Sequence, residues 1–546
     1  MRKDIKAIVR DLLVLSMSRG KEASGVAVMQ NGKAEVLKKP WAARRLARSK
    51  EYEAILDSCL MSANGTPIPT AILGHSRLVT DGGRELEGNN QPVILQDLLA
   101  VHNGIITNVD QIWGNHPDLT RTCEVDTESL LALLELNLRK YPDLNECFRE
   151  TLSCIEGAVS LGILDVKRSK VYLLTNTGSL YVYEKDGTLI FASERRILEQ
   201  VIKKHLGMRQ VQYISRAMPG TGSVFNLDGV FSIDVTPSIS LTFPIGIIKD
   251  NYRSNRHIRS TPPCNNLLRT NWREPPKTLR RCTKCILPET MPCIKFDEDG
   301  VCNYCHTYEP MRVEGVEKLL EIVEPFRRGD GQPDCMVMFS GGRDSCHGLH
   351  LVKKELGLNP IAFSYDWGVL TDLGRRNQAR LCGQLGVEHV VVSADIPRKR
   401  EYVRKNLMAW LKKPELGMVP ILMAGDKQYF YHANRLKNQL GLKLVINCEC
   451  PLERTRFKSG FCGVNEGARR NYDIPLIDKF KLMAYYSRQC LANPRYLNRS
   501  LFDGIGGFVS SYGVSHDYHY LHRYCRWDEE SLNETLAREY HWEIDQ

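Results

Sequence analysis

The segment Ser340-Gly341-Gly342-Arg343-Asp344-Ser345 gathers hydroxyls, glycines and a carboxylate into six residues. It follows the apolar run Cys335-Met336-Val337-Met338-Phe339, which reads as a short buried strand, and precedes His347 to Leu356. There Leu349, Leu351, Val352 and Leu356 recur at helical spacing. A strand, a Gly-Gly turn and a helix start bring free backbone N–H groups and the positive end of a helix dipole to one point, which suits phosphate. The glycines let the backbone approach an anion, and Ser340 and Ser345 add donors. The Gly-Lys-Ser/Thr ending of a Walker A loop is absent. Upstream, Cys282-Thr283-Lys284-Cys285 and Cys302-Asn303-Tyr304-Cys305 are separated by sixteen residues. Each pair can bite one metal, and four thiolates close a tetrahedron, so Cys282, Cys285, Cys302 and Cys305 are expected to hold structural Zn2+. A redox disulfide pair is the competing reading.

The surrounding elements predict how the loop is positioned. Pro360 to Asp366 reads as a second strand, Gly374 to Leu385 as a helix and Glu388 to Ser393 as a third strand. This rhythm argues a doubly wound parallel sheet with ligand at the strands' carboxyl ends. The wording SGGxDS resembles the PP-loop of ATP pyrophosphatases, an adenine nucleotide α hydrolase-like fold whose members adenylate a substrate oxygen and release pyrophosphate. That resemblance implies ATP on Ser340, Gly341, Gly342, Arg343, Asp344 and Ser345, adenine held around Phe363 and Ser364, and Asp366 close to the nucleotide. Asp344 and Asp426 are candidate Mg2+ partners, because Mg2+ takes one or two carboxylates plus phosphate oxygens. A cap or a surface charge is the plainer role for each.

The zinc knuckles followed by this loop resemble the N-acetyl sugar amidotransferases of surface-polysaccharide and nonulosonic-acid biosynthesis, over roughly residues 280 to 530. The likeness implies adenylation of an acetamido oxygen and displacement of AMP by ammonia, on an acceptor that is a sugar, nucleotide-linked in one version of the reading. Asn447 to Lys458 joins a strand end to convergent charges, so Glu449, Arg454 and Arg456 are acceptor or pyrophosphate candidates, with a surface salt-bridge cluster as the alternative.

The first half suggests a source of ammonia. Ser18 to Ala27 resembles the RGxxSAG segment of class II glutamine amidotransferases, Gly74 to Gly82 their GHxRxATHG, Val101 to Asn108 their HNGIIxN, and Val125 to Glu128 their SDTE. Arg77 can fork onto the glutamine α-carboxylate and Asp126 can pair with its α-ammonium, with Thr80 beside them. The Asn103 amide and the Gly104 N–H can form an oxyanion hole, which makes them the catalytic candidates. Taken singly, Asn-Gly also suits a tight turn. The resemblance implies an Ntn-type αββα sandwich, and Gly157 to Leu161, Val171 to Leu174, Leu180 to Tyr183 and Ile190 to Glu194 read as its short strands. Class II enzymes use an N-terminal cysteine whose own amine is the base. This sequence opens Met1-Arg2-Lys3-Asp4, has no Cys before Cys59, and enters a helix over residues 5 to 17 where the family has a strand. A truncated start is the favoured expectation, and a glutaminase-dead scaffold is the other.

The expected organisation is therefore multidomain, α/β and α+β: an amidotransferase-like domain over 1–245, a basic Pro/Asn-rich linker over 246–280, a zinc ribbon over 281–315, and the nucleotide domain with a helical tail over 316–546. The linker carries the densest part of a formal charge of +10, and a nucleic-acid surface is its less favoured reading. Eighteen Cys, most of them not in disulfide-like patterns, fit a reducing cytoplasm, and no run of eighteen apolar residues suggests a membrane span. The function expected is AMP-forming transfer of ammonia, from glutamine or free, to an N-acetyl sugar. An asparagine-synthetase-like ligase and a tRNA-modifying PP-loop enzyme are the rival enzymes.

Overall fold

Alternating side chains set the layers of the N-terminal half. The computed structural model describes residues 2–59, 68–80, 82–185, 187–227, 279–308, 312–450, 457–464, 475–514 and 516–544. Helix α1 (Arg2–Leu15) leads to β1 (Ala23–Gln30), which pairs antiparallel with β2 (Lys33–Lys39) and β3 (Thr70–Arg77). A second sheet starts with β4 (Val93–Leu95) and β5 (Leu98–Ile106) and resumes, after α2 (Asp126–Lys140) and α3 (Leu144–Ser153), with β6 (Gly157–Asp165) and β7 (Lys170–Thr175). Strands β8 (Tyr181–Lys185) and β9 (Thr188–Ala192), helix α4 (Arg195–His205) and strand β10 (Ile214–Arg216) form a small covered sheet. Strand β11 (Thr221–Asn226) then closes the five-stranded order β11-β7-β6-β5-β4.

Parity assigns each face. Ala27 and Met29 of β1 meet Leu99 and Val101 of β5 and Leu173 of β7 between the sheets. Val26 and Val28 pack instead with Leu13 of α1. On the far face, Leu98, Ala100, Tyr172 and Leu174 lie against Leu130 and Leu134 of α2 and Phe148 of α3. The period-two pattern thus yields helix, sheet, sheet and helix in layers.

The C-terminal half follows a different logic, with strands apolar on both faces. Strand β12 (Cys335–Met338) feeds α5 (Arg343–His350), then come β13 (Pro360–Asp366), α6 (Asp372–Leu385), β14 (Glu388–Ser393), α7 (Ile396–Trp410), α8 (Gln428–Leu440), β15 (Leu444–Asn447), β16 (His519–Tyr520) and α9 (Glu529–Tyr540). All pairings are parallel, in the order β14-β13-β12-β15-β16. Val337, Ala362 and Ile446 pack with Leu349 of α5, Leu381 and Leu385 of α6 and Leu536 of α9. Met336, Ile361 and Val445 pack with Phe430 and Leu436 of α8. Helices on both faces explain the unbroken apolar strands. The strand order turns at β12, which opens a crevice at the carboxyl ends, where the Gly-rich loop sits.

One local reading differs from expectation, and the tight-turn alternative for Asn103-Gly104 does not hold. The helix expected from His347 to Leu356 begins at Arg343 and ends at His350; a π turn over Leu351–Glu355 follows, closed by Leu356 N–H on the Leu351 carbonyl at 2.8 Å. The wider turn keeps both Val352 and Leu356 in the core. Asn103-Gly104 lies inside β5 rather than in a turn, paired with Ser160 and Val159 of β6. The expected linker, apart from residues 279 and 280, the expected domain end near Pro244, and Arg454 and Arg456 lie outside the described residues. Among the described residues no helix is long and apolar enough to cross a membrane.

The halves meet along α6. Its Leu381 and Cys382 belong to the parallel-sheet core, while Gly383 packs on β6 so closely that a Cβ there would lie 1.9 Å from the Gly157 carbonyl oxygen. Around it, the Tyr181 hydroxyl donates to Glu388 at 2.6 Å, Arg216 approaches Glu388 at 3.4 Å, and Arg19 donates to the His389 carbonyl at 3.0 Å.

Candidate active sites

The loop after β12 is shaped by its own hydroxyls. Ser340 N–H donates to Ser345 Oγ at 3.1 Å, Gly342 N–H to Ser340 Oγ at 3.3 Å, and Ser345 Oγ to the Gly342 carbonyl at 3.1 Å. The two glycines differ. Gly341 has φ +82°, and a Cβ there would come within 2.6 Å of the Gly374 carbonyl oxygen and 2.7 Å of Gln378 Cγ. At Gly342, φ is −78° and the nearest atom to a Cβ is Ser340 Oγ at 3.4 Å. Gly341 is thus demanded by packing and backbone, whereas Gly342 is required by neither.

A cavity of about 610 Å³ opens over this loop. Ser340, Gly342, Arg343, Asp344, Ser345, Phe363, Ser364, Asp426 and Glu449 are among its lining residues. Its size and mixed lining match a small-molecule site. Asp344 is braced by Trp527, whose indole N–H donates to Oδ1 at 3.0 Å, while the Arg343 guanidinium lies over the same indole at 5.2 Å. Carboxylates at Asp344 and Asp426, beside hydroxyls and loop N–H groups, form a donor set that fits Mg2+ shared with phosphate oxygens.

Asp366, expected beside the nucleotide, faces the other way. Its carboxylate is 1% exposed, accepts Gly368 N–H at 2.9 Å and pairs with Arg375 at 2.6 Å. It lines a second cavity, of about 130 Å³, between the halves. The physical cause is α6, which brings Arg375 over the end of β13 and fixes the carboxylate there.

The second cavity gathers the first half's candidates. Arg77, Thr80, Asn103, Gly104 and Asp126 all line it. Arg77 is buried at the end of β3, donating to Asn90 Oδ1 at 2.9 Å and to the Gly82 carbonyl at 3.2 Å. Asp126, in the first turn of α2, accepts the Ile106 N–H at 2.8 Å and lies 3.8 Å from His102 Nδ1. Burial works against its ionisation, but His102 and the N–H groups of Ile106 and Thr127 outweigh it and hold the carboxyl below its usual range. Gly104 has φ +148°, and a Cβ would lie 1.8 Å from the Ala158 carbonyl oxygen, so only glycine fits. His75, buried beside Arg77 and His102, is depressed to about 3 and stays neutral. A vestibule of about 200 Å³ lined by Thr80, Asp126, Asp372 and Arg375 adjoins it.

Arg375, Gln378 and His389 of the second half also line this cavity, with no motif to announce them. Arg375 and Gln378 are three apart on α6 and so share a face, the only available signal, and one that ordinarily marks a solvated stripe. Gln378 and Leu370 line both the cavity over the Gly-rich loop and this one.

The four cysteines converge as their spacing requires. One ligand atom from each of Cys282, Cys285, Cys302 and Cys305 lies within 4.8 Å of all the others, a cluster that could bind a metal. Cys282 Sγ accepts N–H groups from Lys284, Cys285 and Cys302 at 3.4, 3.5 and 3.2 Å. Desolvation opposes ionisation, yet these donors bring the Cys282 thiol down to about 6, favouring the thiolate that a metal takes.

Residues 75–200 match the family model described as a glutamine amidotransferase domain. The glutamine–fructose-6-phosphate aminotransferase of Bacillus thuringiensis subsp. konkukian is 26% identical over 230 residues, covering 42% of this chain and 36% of that protein. The enzyme of the same name from Pseudomonas putida is 28% identical over 214 residues, covering 38% of this chain and 33% of that protein. The chain thus spans about a third of the length of these relatives. The solved glutamine phosphoribosylpyrophosphate amidotransferase of B. subtilis aligns with a TM-score of 0.30 at 19% identity, over 42% of this chain and 47% of that one. The first half therefore carries a glutamine amidotransferase domain, and the matched stretch contains Arg77, Asn103, Gly104 and Asp126.

Proposed function

We propose that this chain is an ATP-dependent, AMP-forming amidotransferase that works from two adjoining sites. The carrying observation is the shared wall: Gln378 and Leu370 line both the cavity holding Arg77, Asn103 and Asp126 and the cavity over the Gly-rich loop. Two sites so placed suit a reactive nitrogen that is released in one and used in the other without meeting water. Bound ATP supplies the activation, by accepting an acceptor oxygen at its α-phosphorus with loss of pyrophosphate.

The chain's residues do the rest. Arg77 and Asp126 orient glutamine by its α-carboxylate and α-ammonium, with Thr80 beside them; Asn103 and Gly104 N–H would stabilise the oxyanion formed when a cysteine thiol, the class II nucleophile, adds to its amide and ammonia leaves, and where no such thiol is present free ammonium is the donor. Across the wall, Ser340, Gly342 and Ser345 hold phosphate, Phe363 and Ser364 flank adenine, and Asp344 and Asp426 share Mg2+. Glu449, which lines the same cavity, faces the acceptor, for which an N-acetyl sugar is the reading drawn from the zinc-knuckle and loop resemblance. Ammonia attacks the activated carbon, AMP leaves, and the acetamido group becomes acetamidino. The Cys282/Cys285/Cys302/Cys305 cluster holds structural zinc in this reading.

The test is release of pyrophosphate and AMP against a panel of nucleotide-linked N-acetyl sugars, with glutamine or ammonium as donor. Release that requires one sugar and one nitrogen donor supports the reading. Turnover with no acceptor dependence, or none in the presence of both donors, refutes it.

A further inference from the structure

The C-terminal end of α7 and the chain after residue 475 enclose a small apolar cluster. Ala409, Met418, Cys490 and Tyr496 are buried in it, with Trp410 packed against them. Asn493 Nδ2 donates to the Ala409 carbonyl at 2.7 Å, and Asn498 Nδ2 and the Ser500 hydroxyl donate to Asn406 Oδ1 at 3.1 and 2.9 Å. The turn after α7 folds back, the Trp410 indole N–H donating to the Glu415 carbonyl at 3.0 Å.

The neighbours of these buried residues are left bare. Leu411 follows Trp410, Leu491 follows Cys490 and Leu497 follows Tyr496, and they are 58%, 80% and 58% exposed. Leu407, Met408 and Leu416 are exposed as well. Arg404, Leu407, Met408 and Leu411 recur at helical spacing and form the outer stripe of α7, opposite the buried Tyr402, Asn406 and Ala409. Because Leu411, Leu491 and Leu497 each adjoin a member of one cluster, they gather in one area of surface instead of scattering singly.

The charge around them has one sign. Between Glu401 and Glu415 the chain carries Arg404, Lys405, Lys412 and Lys413 and no acid. Between Asp478 and Asp503 it carries Lys479, Lys481, Arg488, Arg495 and Arg499 and no acid. Three of the bordering acids are paired: Glu401 with Lys405 at 2.5 Å, Asp478 with Lys481 at 2.8 Å and Asp503 with Lys399 at 2.5 Å. Arg404, Lys412, Lys413, Arg488, Arg495 and Arg499 are exposed.

Bare apolar side chains ringed by cations fit a bilayer surface of anionic lipid, which takes the former at the acyl boundary and the latter among its headgroups. A second copy of the chain fits worse, because across a twofold axis the same cations would face each other. Single-stranded nucleic acid also fits worse: it stacks its bases on aromatic rings, and none of the six bare apolar side chains is a ring.

We propose that the outer face of α7 and the segment 491–499 seat this chain on a membrane surface that carries anionic lipid. The contact lies on the bilayer and does not cross it, since no helix among the described residues is long and apolar enough to span. Towards the other end of α7, Lys399 donates to the Ala424 carbonyl at 2.8 Å and to Gln428 Oε1 at 3.0 Å, next to Asp426 and Lys427 of the cavity over the Gly-rich loop. From Lys399 to Trp410 the helix runs about 16 Å. Lipid contact needs neither nucleotide nor nitrogen donor, so it is independent of the amidotransferase reading.

Flotation of the full chain with phosphatidylcholine vesicles, with and without phosphatidylglycerol, tests the seat. The protein should float with the phosphatidylglycerol vesicles, stay behind with phosphatidylcholine alone, and come off as salt rises. Lys412→Gln with Lys413→Gln removes two exposed cations and should weaken binding about 25-fold, about fivefold for each. Leu411→Ser with Leu497→Ser removes two apolar contacts and should weaken it about tenfold. All four side chains are exposed, and an unchanged thermal midpoint establishes that each variant folds. No flotation with phosphatidylglycerol vesicles, equal flotation with both kinds, or flotation unmoved by both pairs of substitutions overturns the proposal. So does a lipid-free dimer in sedimentation that the leucine variant splits, which would give the face to a second copy. Single-stranded RNA bound more tightly than the vesicles through the same lysines would overturn it equally.

Discussion

Replacing each glycine of the Gly-rich loop by alanine separates architecture from ligand binding. At Gly341 the new methyl meets the Gly374 carbonyl oxygen at 2.6 Å and Gln378 Cγ at 2.7 Å, and φ is +82°. The left-handed backbone costs about 1 kcal/mol for a residue with a Cβ, and overpacking against backbone adds about 2 kcal/mol. Gly341→Ala should therefore lose about 3 kcal/mol, which for a half of this size lowers its thermal midpoint by about 9 °C. At Gly342 the methyl meets only Ser340 Oγ at 3.4 Å, with φ −78°. Gly342 is the N-cap of α5, where alanine is slightly worse than glycine, so the change in stability should stay within about 1 kcal/mol. Its methyl points into the cavity that would hold phosphate, so nucleotide affinity should fall by tenfold or more, a cost of about 1.4 kcal/mol. Gly342→Val should abolish ATP–pyrophosphate exchange. Differential scanning calorimetry and titration with an ATP analogue read the two quantities separately. Equal destabilisation by both alanines would refute the distinction drawn between the glycines. Wild-type nucleotide affinity in a folded Gly342→Val protein would refute the phosphate assignment.

Elemental analysis should find one zinc per chain, and Cys302→Ser should lose it; metal-free protein with the four thiols paired as disulfides would contradict the metal reading. Arg375→Ala strips the partner from a carboxylate that is 1% exposed, so it should cost about 3 kcal/mol, and a loss below about 1 kcal/mol would show that Asp366 finds another partner. Glu543 pairs with Arg376 and Arg380, and although its desolvation raises the pKa, these guanidiniums bring it from 4.5 to about 2. A depressed carboxyl stabilises above its unfolded value and loses that contribution as pH falls through the folded one. The stability difference between the protein and Glu543→Gln should thus be full above about pH 5 and close as pH drops toward 2, which denaturant titration at a series of pH values checks; a constant difference would refute the pairing.

The nucleotide-side framework was readable because its signals are local. An apolar run, a pair of glycines and a change of period marked β12, the loop and the start of α5, and strands β13 and β14 lie where their β-branched and apolar runs placed them. The layers of the first half followed from parity in β1, β5 and β7. What escaped was decided by contacts between elements far apart in the sequence pattern. Asp366 reads like a ligand at a strand's carboxyl end, but a guanidinium three-quarters of a helix turn into α6 claims it. Gln378 and His389 carry no motif, because their roles come from what faces them. Asn103-Gly104 carries a strong turn signal that loses to the β5–β6 ladder, where the glycine admits the Ala158 carbonyl.

The close seating of Gly383 on the Gly157 carbonyl has a consequence for lineage. Gly157 itself has φ +123°, and a Cβ on it would lie 2.1 Å from the Ile105 carbonyl oxygen, so neither glycine can drift alone. Beside them, Glu388 is buried between a tyrosine and an arginine contributed by the other half. Exchanging one half for that of a cousin would strand this carboxylate in a dry surface with no donor, a costly defect. The two halves must therefore be inherited as a unit. In any set of descendants, positions 157 and 383 should stay glycine, and 181, 216 and 388 should change together or not at all.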